Sequence, residues 1–276
     1  MTNREGEMRK YIHVLSIVIR NSFYKASAYR ANFFSGLITD FCFNLSRIVF
    51  VNILFGHADT LGGWNIHHYQ LFFGCSFLAE SIYMFFFYNS HTTISRRIIC
   101  GDMDFLLTKP MAEMFVLSAM DVNPGSGISN FVLGMSFLSM GVNGLDLEIA
   151  PGRLALFSLF VLCGSMIYFS LSLMINLLSF WVVNANSVFD LFMNITDLYR
   201  YPGDLFPRVV SSVITFVLPL QFIAILPAGW LMGDSGAGSE VGVEVGIFAG
   251  IYAAVFMLLG YCLLRRAIGR YSSVGS

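Results

Sequence analysis

Long apolar runs alternate along the chain with short polar breaks, and the run lengths set the first expectations. Runs at about Asn32–Phe55, His68–Tyr88, Ser126–Leu145, Leu154–Val183, Val209–Met232 and Val245–Leu264 each match or exceed the ~20 residues that a helix needs to cross a bilayer. In lipid the backbone polar groups must be satisfied within the segment, which selects helices. The pattern therefore predicts an all-α, polytopic membrane protein with six transmembrane helices. Ahead of them, Met8–Arg30 reads as a helix with a basic side. Tyr11, Leu15, Val18, Ile19 and Phe23 recur at helical spacing, while Lys10, Arg20, Lys25 and Arg30 supply charge. It is too charged to span and is expected to lie along the membrane surface.

The breaks refine this layout. Leu154–Val183 is long enough to protrude or tilt. Pro219 and Pro227 interrupt the fifth run, and each frees a backbone carbonyl, so that helix is expected to be kinked or broken. After Asn184–Asn186, the residues Val188, Leu191, Phe192, Ile195, Leu198 and Tyr199 share one helical face opposite Asp190, Asn194 and Asp197. That stretch is short for a span and reads as an interfacial helix. Ser95–Met111, SRRIICGDMDFLLTKPM, is the most polar segment between two long apolar runs. Asp121, Asn123 and Pro124 extend the polar zone to about Gly125. The expected organisation is one membrane domain: an interfacial helix at 1–31, a bundle at 32–264 and a tail at 265–276.

Composition sharpens the class. The chain is 56% hydrophobic and 12% charged, with a mean hydropathy of +0.70, whereas soluble domains carry roughly 25% charged residues. The net charge of −1 says little, because charge is sorted by loop. With both ends on the inner side, the inner segments hold fourteen of the sixteen basic residues. The outer loops then hold one, Arg153, and Arg47 sits inside the first run. This asymmetry predicts cytoplasmic termini. Cys42, Cys75, Cys100, Cys163 and Cys262 are scattered without a CxxC pair and read as helix residues rather than disulfides or metal ligands. The polar stretch Met1–Arg9 gives no expectation of a cleaved signal peptide.

Candidate chemistry is sparse. There is no GxxxxGK[ST], and Lys10, Lys25 and Lys109 do not follow glycines, so no nucleotide phosphate is cradled by a P-loop. There is no HExxH. Gly233-Asp234-Ser235-Gly236 matches a short intramembrane-protease pattern, but no histidine follows His91 to act as a later base. His57, His67 and His68 surround the first outer loop with only Asp59 nearby, and read as interfacial polar residues rather than a metal site. Asp40 and Arg47 lie two turns apart on one face of the first span, and Glu80 lies near the middle of the second. Charges at depth cost roughly 2.5–3.5 kcal/mol each, so they face protein or water. These three either line a polar transport route or form a structural ion pair. Gly238, Gly242, Gly246 and Gly250 recur every four residues, permitting close helix packing within the chain or between copies.

In order, these features resemble the permease subunits of ABC-type exporters, the six-span type-2 family. The carriers are the basic helix, Phe55-Gly56 followed by Leu61-Gly62-Gly63-Trp64, and Ile98, Ile99, Gly101-Asp102-Met103-Asp104, Leu107 and Lys109-Pro110. Tyr201-Pro202, Phe206-Pro207, Leu218-Pro219 and Leu226-Pro227-Ala228 follow. The resemblance implies that the loop after the second span forms a cytoplasmic coupling helix docking on a separate ABC ATPase subunit. Carried over, the docking residues are Arg96, Arg97, Gly101, Asp102, Asp104, Leu107, Lys109 and Pro110. Arg96 and Arg97 suit acidic groups on a soluble partner, Phe105, Leu106 and Leu107 offer an apolar anchor, and Gly101 and Pro110 end local helices. It further implies a second permease, identical or homologous, in the plasma membrane. ATP then acts only through the partner ATPase, with no cofactor, metal or nucleic acid on this chain. The alternative is a stand-alone secondary transporter or channel using Asp40, Arg47 and Glu80.

Overall fold

The computed structural model describes residues 2–57, 59–61, 63–181, 194, 207–213, 215, 218–233 and 243–271. The expected interfacial helix after Asn186, the turn 201–206 and most of the loop 233–244 lie outside these residues. The chain begins with α1 (Thr2–Ala28), α2 (Arg30–Phe55) and α3 (Ile66–Phe86). Four short helices follow: α4 (Tyr88–Thr92), α5 (Ile94–Cys100), α6 (Asp102–Leu107) and α7 (Glu113–Ser118). Then come α8 (Pro124–Gly144), α9 (Pro151–Leu177, extended by a 3-10 turn at Leu178–Phe180), α10 (Arg208–Ser212), α11 (Gln221–Met232) and α12 (Val243–Arg270). Among the described residues the only β pairing is an isolated bridge between Leu61 and Trp64.

The helices α2, α8, α9 and α12 are each long and apolar enough to cross a membrane, and α3 qualifies jointly with Tyr88–Cys100, from which it is bent by 62°. The expected fifth span is divided. Leu218 N–H donates to Val213 O, a π-type closure, and the break at Pro219 leaves α11 with only 12 residues. Pro219 cannot donate and crowds the preceding turn. Pro227, by contrast, is accommodated inside α11.

Local sequence sets the helix starts. Asn65 caps α3 by accepting the His67 and His68 N–H groups at 3.0 Å, the role for which a short polar side chain is preferred. Asn123 caps α8 through Ser126 N–H at 3.2 Å, with Pro124 at the first helical position.

The closest packing joins α3 to α8. Gly127, Gly134 and Gly141 recur every seven residues and meet Phe85, Leu78 and Leu71, which share that spacing. A Cβ on Gly141 would lie 2.6 Å from Leu71 N, and one on Gly74 would lie 2.6 Å from Leu138 N. Backbones therefore approach where lipid supplies no hydrophobic drive and dispersion contacts must hold helices together. The four-residue glycine series behaves differently. A Cβ on Gly246 would rest 3.4 Å from the Phe160 ring, whereas one on Gly250 meets nothing. The buried face of α12 is instead Ala249, Ala253, Phe256, Leu264 and Ala267.

The helices α2, α3, α8 and α9 run in alternating directions, the short α11 runs back along α9, and α12 lies parallel to α9. At one end, Phe55 packs on Tyr69 with ring centroids 5.0 Å apart, and Trp230 Nε1 donates to Arg153 O at 3.1 Å. At the other, α1, α5–α7 and the ends of α9 and α12 assemble. Lys10 Nζ donates to Pro110 O at 2.6 Å, Arg265 pairs with Glu113 at 3.1 Å, and the Phe180 and Tyr271 rings are 6.1 Å apart. This second end gathers the basic residues and is called the basic end below.

Candidate functional site

The segment Ser95–Met111 leaves the bundle at the basic end and folds as two short helices around one glycine. Gly101 has φ +77° and ψ 0°, closing α5 and opening α6. Glycine adopts this left-handed conformation without the steric cost other residues incur. The resulting unit has two sides. Ile94 and Met103 are fully buried and Leu106 is 8% exposed, while Phe105 is 70% and Ile99 60% exposed. Arg96, Asp102 and Asp104 are also exposed. Lys109 sits with its ammonium 5.2 Å from the Phe105 ring centroid, a cation–π distance.

The sequence-derived docking set thus divides. Arg96, Asp102, Asp104 and Pro110 face outward, whereas Arg97, Gly101, Leu107 and Lys109 are half-buried. The Arg97 guanidinium lies in the field of Asp121 and Asp102, turned partly toward its own fold. Of the expected apolar anchor, Phe105 is available, Leu106 is spent on the core, and Ile99 joins Phe105 outside. Asp104 faces Tyr271 beyond the end of α12, where burial first and then the carboxylate raise the tyrosine pKa.

The residues on either side of this unit are tied to the rest of the fold. Tyr11 on α1 accepts from Ala112 N–H at 2.9 Å, and its ring stands edge-on to Phe115 at 5.0 Å. Beneath, His91 on α4 is fully buried. Its Nδ1 lies 3.1 Å from Ser172 Oγ and its Nε2 3.2 Å from Ser118 Oγ. Ser172 Oγ also bonds the Tyr83 hydroxyl, and Asn176 donates to Ser172 O at 2.9 Å. One polar network therefore ties α3, α4, α7 and α9 together, and in a low-dielectric interior such satisfied groups fix geometry. Sequence reasoning passed over His91, Tyr83, Ser118 and Ser172. The usable signal was a histidine eight residues after a tyrosine in a mostly apolar stretch.

Asp40 and Glu80 sit at different depths along the bundle. Asp40 Oδ2 accepts from Ser126 Oγ at 2.5 Å, beside the α8 N-terminus whose partial positive charge favours a carboxylate. Asn123 N–H donates to Phe85 O at 2.9 Å, so Asp40 lies level with the basic ends of α3 and α8. The fifteen residues from Asp40 to Phe55 span about 22 Å. Asp40 is therefore at the edge of the apolar layer rather than deep within it, because α2 extends past its neighbours. Glu80 is buried, 3% exposed, on α3, five residues or about 7 Å farther in. The Arg47 side chain lies outside the described residues. Asp40 instead lines a cavity of about 550 Å³ shared by α1, α2 and the starts of α4 and α8. Among the described residues, no group of three or more His, Cys, Asp or Glu side chains is placed to hold a metal.

No curated protein and no solved structure matches the chain. The model of one family, described as ABC-2 family transporter protein, matches residues 41–275, which include Ser95–Met111, the α3–α8 pair and the spans that follow. The all-helical architecture and apolar spans agree with that match, and the chain accordingly belongs to the ABC-2 family of membrane transport proteins.

Proposed function

We propose that this chain is the membrane-spanning permease subunit of an ATP-driven ABC exporter, working by alternating access coupled to a separate ATPase subunit. The observation that carries the reading is the sidedness of Ser95–Met111. One face, Ile94, Met103 and Leu106, is built into the bundle, while Arg96, Ile99, Asp102 and Phe105 stand outside it. An exposed aromatic and aliphatic pair flanked by charges has the make-up of an interface anchor with a polar rim. Force applied at that rim reaches α9 through His91 and Ser172 and reaches α12 through Tyr271. ATP is bound and hydrolysed by the partner. A second permease, identical or homologous, completes the pathway. The single permease domain sits in the plasma membrane, with its basic end and both termini cytoplasmic.

The test is co-purification from detergent. The unaltered chain is expected to retain an ABC ATPase, and the pair Arg96→Glu with Phe105→Ala to release it while keeping its thermal transition. Absence of any ATPase from the unaltered preparation, when expressed with its genomic neighbours, would sink the proposal.

A further inference from the structure

The cavity at Asp40 is lined by none of the residues assigned to docking and stands on its own geometry. It opens between the surface helix α1 and the first spanning helix α2, at the edge of the apolar layer. Its polar wall carries one lysine and two aspartates. Lys25 Nζ and Asp121 Oδ1 are 3.7 Å apart, with the lysine side chain 69% and the aspartate 30% exposed. Asp40 on α2 lines the same cavity, and Asn89, Asn123 and Tyr88 add to its polar wall. The apolar side is Phe33 and Leu37, and α2 continues outward with Phe34, Ile38 and Phe41 exposed.

An adjacent positive and negative charge is the electrostatic mirror of a headgroup bearing phosphate and ammonium. We propose that this cavity binds the phosphoethanolamine headgroup of a lipid in the leaflet on the α1 side. The phosphate meets Lys25, and the ammonium meets Asp121 and Asp40. The acyl chains lie along Phe34, Ile38 and Phe41. A primary ammonium has three donors, which fit a wall of carboxylate and amide oxygens and make charge-assisted bonds there. The excess of one carboxylate over the lysine disfavours anionic headgroups. A quaternary ammonium has no donor to offer this wall. The exposed apolar strip on α2 favours an intact lipid over a free amine phosphate.

The experiment is native mass spectrometry of the full chain released from nanodiscs holding equal parts of phosphatidylethanolamine, phosphatidylglycerol and phosphatidylcholine. Retention of phosphatidylethanolamine is expected to exceed each of the others by about tenfold, the worth of one charge-assisted bond. Asp40→Asn should abolish that preference. Gly36 lines the cavity, and a Cβ there meets nothing within 4 Å, so Gly36→Phe should fill the space and displace the lipid without disturbing the fold. Glu148→Gln, in the loop before α9, should leave retention unchanged. Adding glycerophosphoethanolamine distinguishes the sources. Displacement of the bound lipid shows that the headgroup alone carries binding, while persistence of the selected lipid shows that its chains contribute. Equal retention of all three lipids by the unaltered chain, or full retention by Gly36→Phe, overturns the proposal.

Discussion

Single residues around Gly101 separate an exposed face from a packed one. Phe105 and Leu106 are neighbours of similar hydrophobicity, yet one points away from the protein and the other into it. Phe105→Ala is expected to leave stability within about 0.5 kcal/mol, and to weaken ATPase association by about 2 kcal/mol if it anchors that interface. Leu106→Ala should instead cost about 2–5 kcal/mol of stability by opening a cavity. Denaturation midpoints paired with titration of the purified ATPase check both, and equal effects from the two would remove the sidedness on which the reading rests. His91 makes a different demand. His91→Leu removes the side-chain partner of Ser118 in a buried setting, while Ser172 keeps Tyr83, and a group left unsatisfied there costs about 1–3 kcal/mol. Thermal unfolding in detergent should therefore show a lowered midpoint. The sidedness of Phe105 and Leu106 is not legible in the sequence, because an apolar run cannot say which of two consecutive residues faces the bundle in a six-residue helix.

At the scale of elements, legibility followed length. The starts and ends of α2 and α8 fall within two residues of the apolar runs at Asn32–Phe55 and Ser126–Leu145, since burial of a whole helix in lipid leaves a continuous composition signal. The bend after Phe86 left no such signal. Ile94, Ile98 and Ile99 keep the sequence partly apolar across a 62° change of direction. Of the four-residue glycines, Gly238 and Gly242 lie outside the described residues. The four-residue series near α12 is conspicuous as letters, but close approach depends on the partner surface, and the seven-residue series at Gly127, Gly134 and Gly141 meets one. Substitution tests this directly. Gly134→Val or Gly141→Val pushes a side chain into the α3 backbone and should destabilise by about 1–3 kcal/mol or more. Gly250→Val enters open space and should leave the midpoint unchanged in the monomer. A loss at Gly250 alone would instead place a contact with another chain there.

The molecule as a whole is a bundle with chemically unlike ends, and that difference is what a membrane reads during insertion. The basic end holds α1, the turn at Ser95–Met111, α7 and the end of α12 together through Lys10, Glu113 and Arg265. These elements are far apart in sequence, so one probe fixes the side for all of them. Cys100 provides it, being exposed beside Gly101. Cys75 is buried, and Cys42, Cys163 and Cys262 lie on apolar helices, where lipid keeps an aqueous maleimide away. A membrane-impermeant maleimide should label the chain in inside-out vesicles and not in right-side-out ones. Cys100→Ser should remove most of that label, which assigns it to the turn. Adding the ATPase should then protect Cys100 in the unaltered chain, because Ile99 and Phe105 flank it on the face left free by the bundle. Labelling from the opposite side would reverse the orientation and with it the docking face. Labelling on the expected side without protection by a bound ATPase would keep the topology and move the interface elsewhere on the basic end.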